Sequence, residues 1–227
     1  MQIQTVFLDA GGVLVNPNWE RVSECLCKHG VSVDSSRLRE AEPIVKKSLD
    51  TEEIIRSTND GDRFEQYLRR VIGEAGVIET DGLAPVLEEL HDYNSRWNIW
   101  ENVYPDVLPT LAALRSMGFQ LAVLSNANGT LRQSLDRIGL LTAVDFVFDS
   151  YEEGIEKPNP EYFLRALSKC GGNPGTTIHI GDFYHVDVVG ARSAGIHPIL
   201  LDSANLYTDC DCPRIQSMGG VIDILEG

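Results

Sequence analysis

The chain has no excess of positive charge: 19 Lys and Arg residues stand against 34 Asp and Glu, for a formal net charge of -15. A surface this acidic repels phosphate backbones and anionic headgroups, which argues against non-specific binding to nucleic acid or to an anionic membrane. It does not exclude a small anionic substrate, because one lysine or a bound cation can set the local sign of a pocket. No apolar run approaches the roughly twenty residues needed to span a bilayer. The first strand follows at once without a basic, then apolar, leader, so a cytoplasmic location is expected. Cysteine is scarce and odd in number, five in 227 residues, which speaks against a disulfide framework. Four of the five fall in two C-x-C pairs, Cys25 with Cys27 and Cys210 with Cys212. That is not the usual zinc spacing and no histidine follows suitably, so reduced thiols are expected. Internal repeats and low-complexity tracts are also missing.

What is present is an alternation of strand and helix. Apolar, β-prone runs occur at 3–8, 120–124, 145–148, 177–180 and 197–201. Between the last four the connections are long enough for crossover helices. Leu111, Leu114 and Met117 recur at helical spacing, the stretch around Tyr162–Leu167 is amphipathic, and 186–194 reads as a short helix before Gly195. Such alternation predicts an α/β fold with a doubly wound parallel sheet. The segment 16–103 differs, with no convincing strand and three apolar helical faces. These carry Trp19, Val22, Leu26 and His29; Phe64, Tyr67, Leu68, Val71 and Ile72; and Leu83, Val86, Leu87 and Leu90. Glycines at 30, 61, 73, 76 and 82 punctuate it. It is too long for a crossover and reads as an inserted all-helical subdomain. The expected division is therefore a core of 1–15 with 104–227 and a helical insertion of 16–103. Trp97 and Trp100, near the return to the core, are expected to pack.

Chemistry-bearing residues sit at the ends of the predicted strands. Thr5-Val6-Phe7-Leu8 runs into Asp9-Ala10-Gly11-Gly12-Val13, and Leu121–Leu124 delivers Ser125-Asn126. Lys157-Pro158 stands before a helix opening near Asn159-Pro160, and Thr177–Ile180 delivers Gly181-Asp182, with Asp187 five residues on. Carboxyl ends of parallel strands are where open α/β sheets bind ligands. The order and spacing of these four segments resemble the four motifs of the haloacid dehalogenase superfamily, and the resemblance covers the whole chain. It implies a Rossmann-like core with a helical cap that closes over the site and selects substrate. It also implies a hydrolase or phosphotransferase with Asp9 as nucleophile. Ser125, with Asn126 beside it, would contact a phosphoryl group, and Lys157 would neutralise developing charge. Asp9, the Gly11 carbonyl, Asp182 and Asp187 would gather around Mg2+, with Asp187 as a ligand or as support. Like carboxylates near 4 Å repel by about 4 kcal/mol at an effective dielectric near 20, so such a cluster needs a cation.

The chain departs from that pattern at motif one, where the family's phosphatases generally read Asp-x-Asp-Gly-Thr. Gly11 replaces the acid/base and Val13 the threonine. General acid–base help is worth about 10²–10⁴ in rate, and its loss falls on poor leaving groups. Three readings follow. The first is a Mg2+-dependent phosphatase for a small phosphorylated substrate with a good leaving group, or one rescued by another acid such as His185 or, in the cap, His91. The second is a carbon–halogen hydrolase, since family dehalogenases also lack the second Asp, although they do without metal and without the acidic Gly-Asp motif. Phosphonate-cleaving relatives need a cap lysine, for which Lys28, Lys46 and Lys47 are available but undistinguished. The third is a non-catalytic module that binds metal and phosphate.

Overall fold

The computed structural model describes residues 3–57, 60–78 and 82–226. The chain divides into two compact units, Met1–Asn16 with Glu101–Gly227, and Pro17–Trp100. Its strands are β1 (Thr5–Leu8), β2 (Val15–Pro17), β3 (Trp100–Val103), β4 (Gln120–Ser125), β5 (Phe146–Asp149), β6 (Thr177–Gly181), β7 (His197–Leu201) and β8 (Arg214–Ile215). Helices α1 (Trp19–Lys28), α2 (Ser35–Leu49), α3 (Glu52–Ser57), α4 (Asp60–Glu74) and α5 (Leu83–Trp97) belong to the smaller unit. Helices α6 (Val107–Ser116), α7 (Leu131–Arg137), α8 (Ser150–Glu153), α9 (Pro160–Cys170), α10 (Val189–Ser193) and α11 (Gly220–Glu226) belong to the larger. No helix among the described residues is long and apolar enough to cross a membrane.

The larger unit is an α/β layer structure. Six strands run parallel in the order β5-β4-β1-β6-β7-β8. All four residues of β1 are buried, as a central parallel strand covered on both faces requires. Alternate side chains go to opposite faces. Phe7, Ala122 and Leu124 meet Tyr162, Phe163, Ala166 and Leu167 of α9 and Ala191 of α10 in one apolar cluster. Because β1 has β4 on one side and β6 on the other, the chain reverses its direction of winding there. The carboxyl ends of these three strands thus form the crevice in which open sheets bind ligands. The Tyr162 hydroxyl reaches the ends of two strands, with the carbonyls of Ser125 (3.0 Å) and Phe148 (2.9 Å) as acceptors.

The smaller unit buries the three apolar faces against one another: Trp19, Val22 and Leu26; Phe64, Tyr67, Leu68, Val71 and Ile72; and Leu83, Val86, Leu87 and Leu90. His29, expected on the first face, ends α1 and keeps part of its ring exposed. Trp100 stacks on Tyr67 with ring centroids 5.7 Å apart, and Trp19 meets the same ring at 6.2 Å. The Tyr67 hydroxyl donates to the buried Glu42 carboxylate at 2.9 Å. Trp100 therefore packs as expected, whereas Trp97 is 46% exposed.

Three local expectations need correction. The segment 16–103 is not free of strands, since its ends fall in β2 and β3, which pair as a two-stranded sheet. Each is too short to show an alternation. Gly61 and Gly73 lie within α4 instead of between helices. The short helix expected at 186–194 begins as a π-helical turn, Tyr184–Val188, that continues into α10. The sixth strand, β8, has only two residues and carries no pattern of its own.

Tyr162→Phe removes the hydroxyl that joins the ends of β4 and β5 and leaves two inward carbonyls short of a donor. A loss of about 1–3 kcal/mol is expected, read as a lower urea midpoint with an unchanged m-value.

Candidate active site

Asp9 follows β1 directly, and its N–H donates to the Ile180 carbonyl at the end of β6 (2.9 Å). The chain then turns tightly, with the Gly12 N–H donating to Val15 (2.7 Å) and the Leu14 N–H to Ala10 (2.9 Å). Gly12 has φ +73°, a conformation that disfavours a side chain. Lys157 is 1% exposed, and its Nζ donates to Asp9 Oδ1 (2.8 Å) and Asp187 Oδ1 (2.7 Å). A second residue fixes the lysine backbone. Asn126 accepts from the Lys157 N–H through Oδ1 (2.8 Å) and donates through Nδ2 to the Lys157 carbonyl (2.9 Å). Behind the next residue, a Cβ on Gly190 would lie 2.8 Å from Phe163 and 3.0 Å from Pro158 Cα. Only glycine lets α10 approach this loop so closely.

Asp187 is held from four directions. Lys157 and His179 share Oδ1, the latter through Nε2 at 2.8 Å, and the Phe183 N–H donates to Oδ2 at 3.1 Å. The fourth restraint is steric. A Cβ on Gly181 would sit 2.1 Å from Asp187 Cγ, so the carboxylate occupies the space that a side chain at 181 would fill. A carboxylate only accepts, so His179 Nε2 carries the proton. Its Nδ1 is buried without a hydrogen-bond partner, and the ring meets Phe163 edge-on at 5.1 Å.

The charges are strongly coupled to burial. Burial alone would drive the Lys157 ammonium towards neutrality, but the Asp187 and Asp9 carboxylates outweigh it and raise its pKa above the ordinary value. Burial pushes Asp9 up, opposed by Lys157. For Asp187, burial is overcome by Lys157 and His179, and its pKa falls below the usual carboxylate range. Burial lowers the pKa of His179, which favours the neutral ring. Asp9, Asp182 and Asp187 each offer an oxygen within 4.8 Å of the others, all three residues buried. The Lys157 ammonium contacts two of the three.

The fold thus brings Asp9, Lys157, Asp182 and Asp187 together at the sheet's carboxyl edge. Ser125 is buried at the end of β4, and Gly11 lies in the turn after Asp9, bridged to Val15. Asn126, expected beside a phosphoryl group, has its amide turned to the Lys157 backbone. His185 lies on the π-helical turn with its ring edge-on to Tyr184 at 5.3 Å. His91 belongs to the smaller unit and lies against Phe64, and Lys28 there pairs with Glu89 at 2.7 Å. Two residues escaped the reading of the sequence. His179 sits mid-strand between Ile178 and Ile180, and a polar ring inside a doubly covered strand was itself the signal. Asp149 ends β5 and accepts from the N–H groups of Gly129 (2.9 Å), Leu131 (3.2 Å) and Tyr151 (2.9 Å), which orders the loop after Asn126.

Lys157→Met should destabilise the protein by about 3–5 kcal/mol at pH 7, because two buried carboxylates lose their counter-charge. The pKa of Asp9, which burial raises even with Lys157 in place, then lies further above its unfolded value. That part of the penalty is present at neutral pH and relieved as pH falls through the raised value. Urea unfolding at pH 7 and pH 5 should show the deficit of the variant shrinking at the lower pH. A deficit that grows on acidification would contradict this electrostatic account. Gly181→Ala forces a methyl group onto Asp187 and should cost about 1–3 kcal/mol by the same measurement.

The family model of haloacid dehalogenase-like hydrolases matches residues 3–195. The chain is 32% identical over 169 residues to haloacid dehalogenase-like hydrolase domain-containing protein 3 of Bos taurus, covering 70% of this chain and 67% of that one. The human protein of that name matches at 35% identity over 56% of this chain and 50% of its own length. A glyceraldehyde 3-phosphate phosphatase of Methanopyrus kandleri is 38% identical over 41% of this chain and 40% of its own. The chain therefore spans about half to two thirds of the length of the first two relatives. In structure it is similar to the HAD-hydrolase YfnB from Bacillus subtilis bound to magnesium, with a TM-score of 0.73 at 16% identity over the whole of both chains. A 2-haloacid dehalogenase from Pseudomonas syringae is also similar, at a TM-score of 0.61 and 23% identity over 99% of each chain. A parallel α/β sheet, four motifs in order and a family match over most of its length leave one assignment: the chain belongs to the haloacid dehalogenase-like hydrolases.

Proposed function

We propose that the chain is a Mg2+-dependent phosphatase that acts, through Asp9, on a small phosphorylated substrate with a good leaving group. The observation that carries the reading is the cluster of buried carboxylates at the strand ends. Three buried carboxylates lie within 4.8 Å of one another, and Lys157 is the ammonium bound to two of them. Clustered carboxylates repel one another, and an all-oxygen donor set of this kind suits a hard divalent cation. Asp9, Asp182 and the Gly11 carbonyl would hold Mg2+. Asp187, its oxygens already engaged, would support from behind. When bound, the cation would offset the negative charge of a phosphoryl group.

Asp9 would attack phosphorus as the bond to the leaving oxygen breaks, leaving the phosphoryl group on its carboxylate. Water would then take the phosphoryl group and release Asp9. Lys157 holds the attacking carboxylate in place and matches charge developing beside it, and such positioning is most of phosphoryl-transfer catalysis. The Ser125 hydroxyl would donate to a phosphoryl oxygen. Gly11 has no proton to give, so the leaving group must depart as an anion, as acyl and aryl phosphates do. The helical unit would act as the cap that selects substrate, in a cytoplasmic enzyme. Relatives named glyceraldehyde 3-phosphate phosphatase and ribulose-1,5-bisphosphate 5-phosphatase support a small phosphorylated substrate. The carboxylate trio favours this reading over a metal-free carbon–halogen hydrolase.

Hydrolysis of an activated aryl phosphate should require Mg2+, stop with a chelator, and fall by at least about 10³-fold in Asp9→Asn. Turnover indifferent to both changes would overturn the proposal, and metal-independent halide release would establish the carbon–halogen reading instead. Gly11→Asp should raise the rate on alkyl phosphates, by up to about 10²-fold, while changing that on aryl phosphates much less.

A further inference from the structure

The two C-x-C pairs are alike in sequence and unlike in structure. Cys25 and Cys27 lie on α1, where residues two apart point away from each other, and one is buried while the other is exposed. Cys210 and Cys212 lie in the loop between β7 and β8, with their Sγ atoms 3.2 Å apart. This loop is built, not loose. The Asp202 carboxylate accepts from the N–H groups of Leu206 (2.8 Å) and Tyr207 (2.9 Å) and from Arg214 (2.9 Å). Both cysteines pack with Tyr184 against Val188, Leu200 and Tyr207.

The residue between them makes the connection to the active site. Asp211 accepts from the Tyr184 hydroxyl (2.7 Å) and, through both guanidinium nitrogens, from Arg192 (2.9 and 3.1 Å). Tyr184 opens the π-helical turn that contains Asp187, and Arg192 lies in α10. Asp211 therefore clasps both ends of the segment whose middle bears the carboxylate bound to Lys157 and His179. A disulfide needs its sulfurs about 2.05 Å apart. The two sulfurs, 3.2 Å apart, would have to close that gap across the residue that makes the clasp.

We propose that Cys210 and Cys212 form a reversible dithiol–disulfide site whose closure releases the Asp211 clasp on residues 184–192. The oxidant is a small disulfide of the glutathione class. One cysteine thiolate attacks a sulfur of that disulfide and expels a thiolate, giving a mixed disulfide. The second cysteine then displaces the other small thiolate. One S–S bond forms in the protein and one breaks in the oxidant, two electrons pass to the oxidant, and the two cysteine protons end on two small thiols. A ring closed across one residue is the readily reduced kind of disulfide, suited to a regulatory role.

The test equilibrates the full chain in glutathione buffers of rising oxidised fraction, alkylates the remaining thiols and maps the peptides by mass. The peptide with Cys210 and Cys212 should carry neither alkyl group and weigh two hydrogens less than its free dithiol, while Cys25 and Cys27 are found alkylated. Amide exchange across 184–192 should rise at least about fivefold on oxidation and return on reduction. Reduced Asp211→Ala should reproduce the faster exchange, and Cys212→Ser should make it indifferent to oxidation. Parallel loss of both C-x-C pairs, a persistent glutathione adduct, or a disulfide without faster exchange would each overturn the proposal. None of these readouts depends on the phosphatase reading, so the two can fail separately.

Discussion

The structure depends on one buried ammonium. Lys157 joins Asp9, delivered by the central strand, to Asp187, delivered by the turn after β6. Neither carboxylate could stay charged in that place alone, and the lysine could not stay charged without them. Lys157 and Asp187 are in turn held by neighbours. Asn126 grips the Lys157 backbone, His179 donates to Asp187, and the Phe183 N–H fixes the remaining oxygen. Buried ion pairs are often no more stabilising than a well-packed apolar substitute, because desolvation offsets the attraction. Their value here is positional: the lysine sets where the proposed nucleophile points.

Two glycines make that arrangement sterically feasible. At 181 a side chain would occupy the space of the Asp187 carboxylate, and at 190 it would collide with Phe163 and Pro158. The apolar core beneath serves the same end, since α9 and α10 press Phe163 and Ala191 against Phe7 and Ala122. Tyr162 ties the ends of β4 and β5 from below. Packing, close backbone approach and charge pairing thus converge on the carboxyl edge of three adjacent strands.

Much of this was legible in the sequence because the signals were long or chemically distinctive. The principal strands are continuous apolar runs, and Asp9, Ser125 and Asp182 stand where those runs stop. What was not legible depends on partners distant in sequence. Asn126 resembled a substrate contact because nothing local shows that its amide reaches 31 residues along to Lys157. His179 was hidden as one letter in an apolar strand, though its burial demanded a partner. β8 emerges only because β7 offers it an edge, and β2 and β3 only because they offer edges to each other. The two C-x-C pairs were indistinguishable until one fell on a helix and the other in a closed loop.

The proposed cation site rests on three carboxylates at the strand ends, two of them bound to Lys157. The most direct test is thermal unfolding of the wild type and of Asp182→Ala across a Mg2+ titration, with no substrate present. A cation that binds the folded state alone stabilises it by about 2.7 kcal/mol at a hundred times its Kd. The Tm of the wild type should rise saturably and that of the variant should not. An equal rise in both, or none in the wild type, would contradict the proposed site.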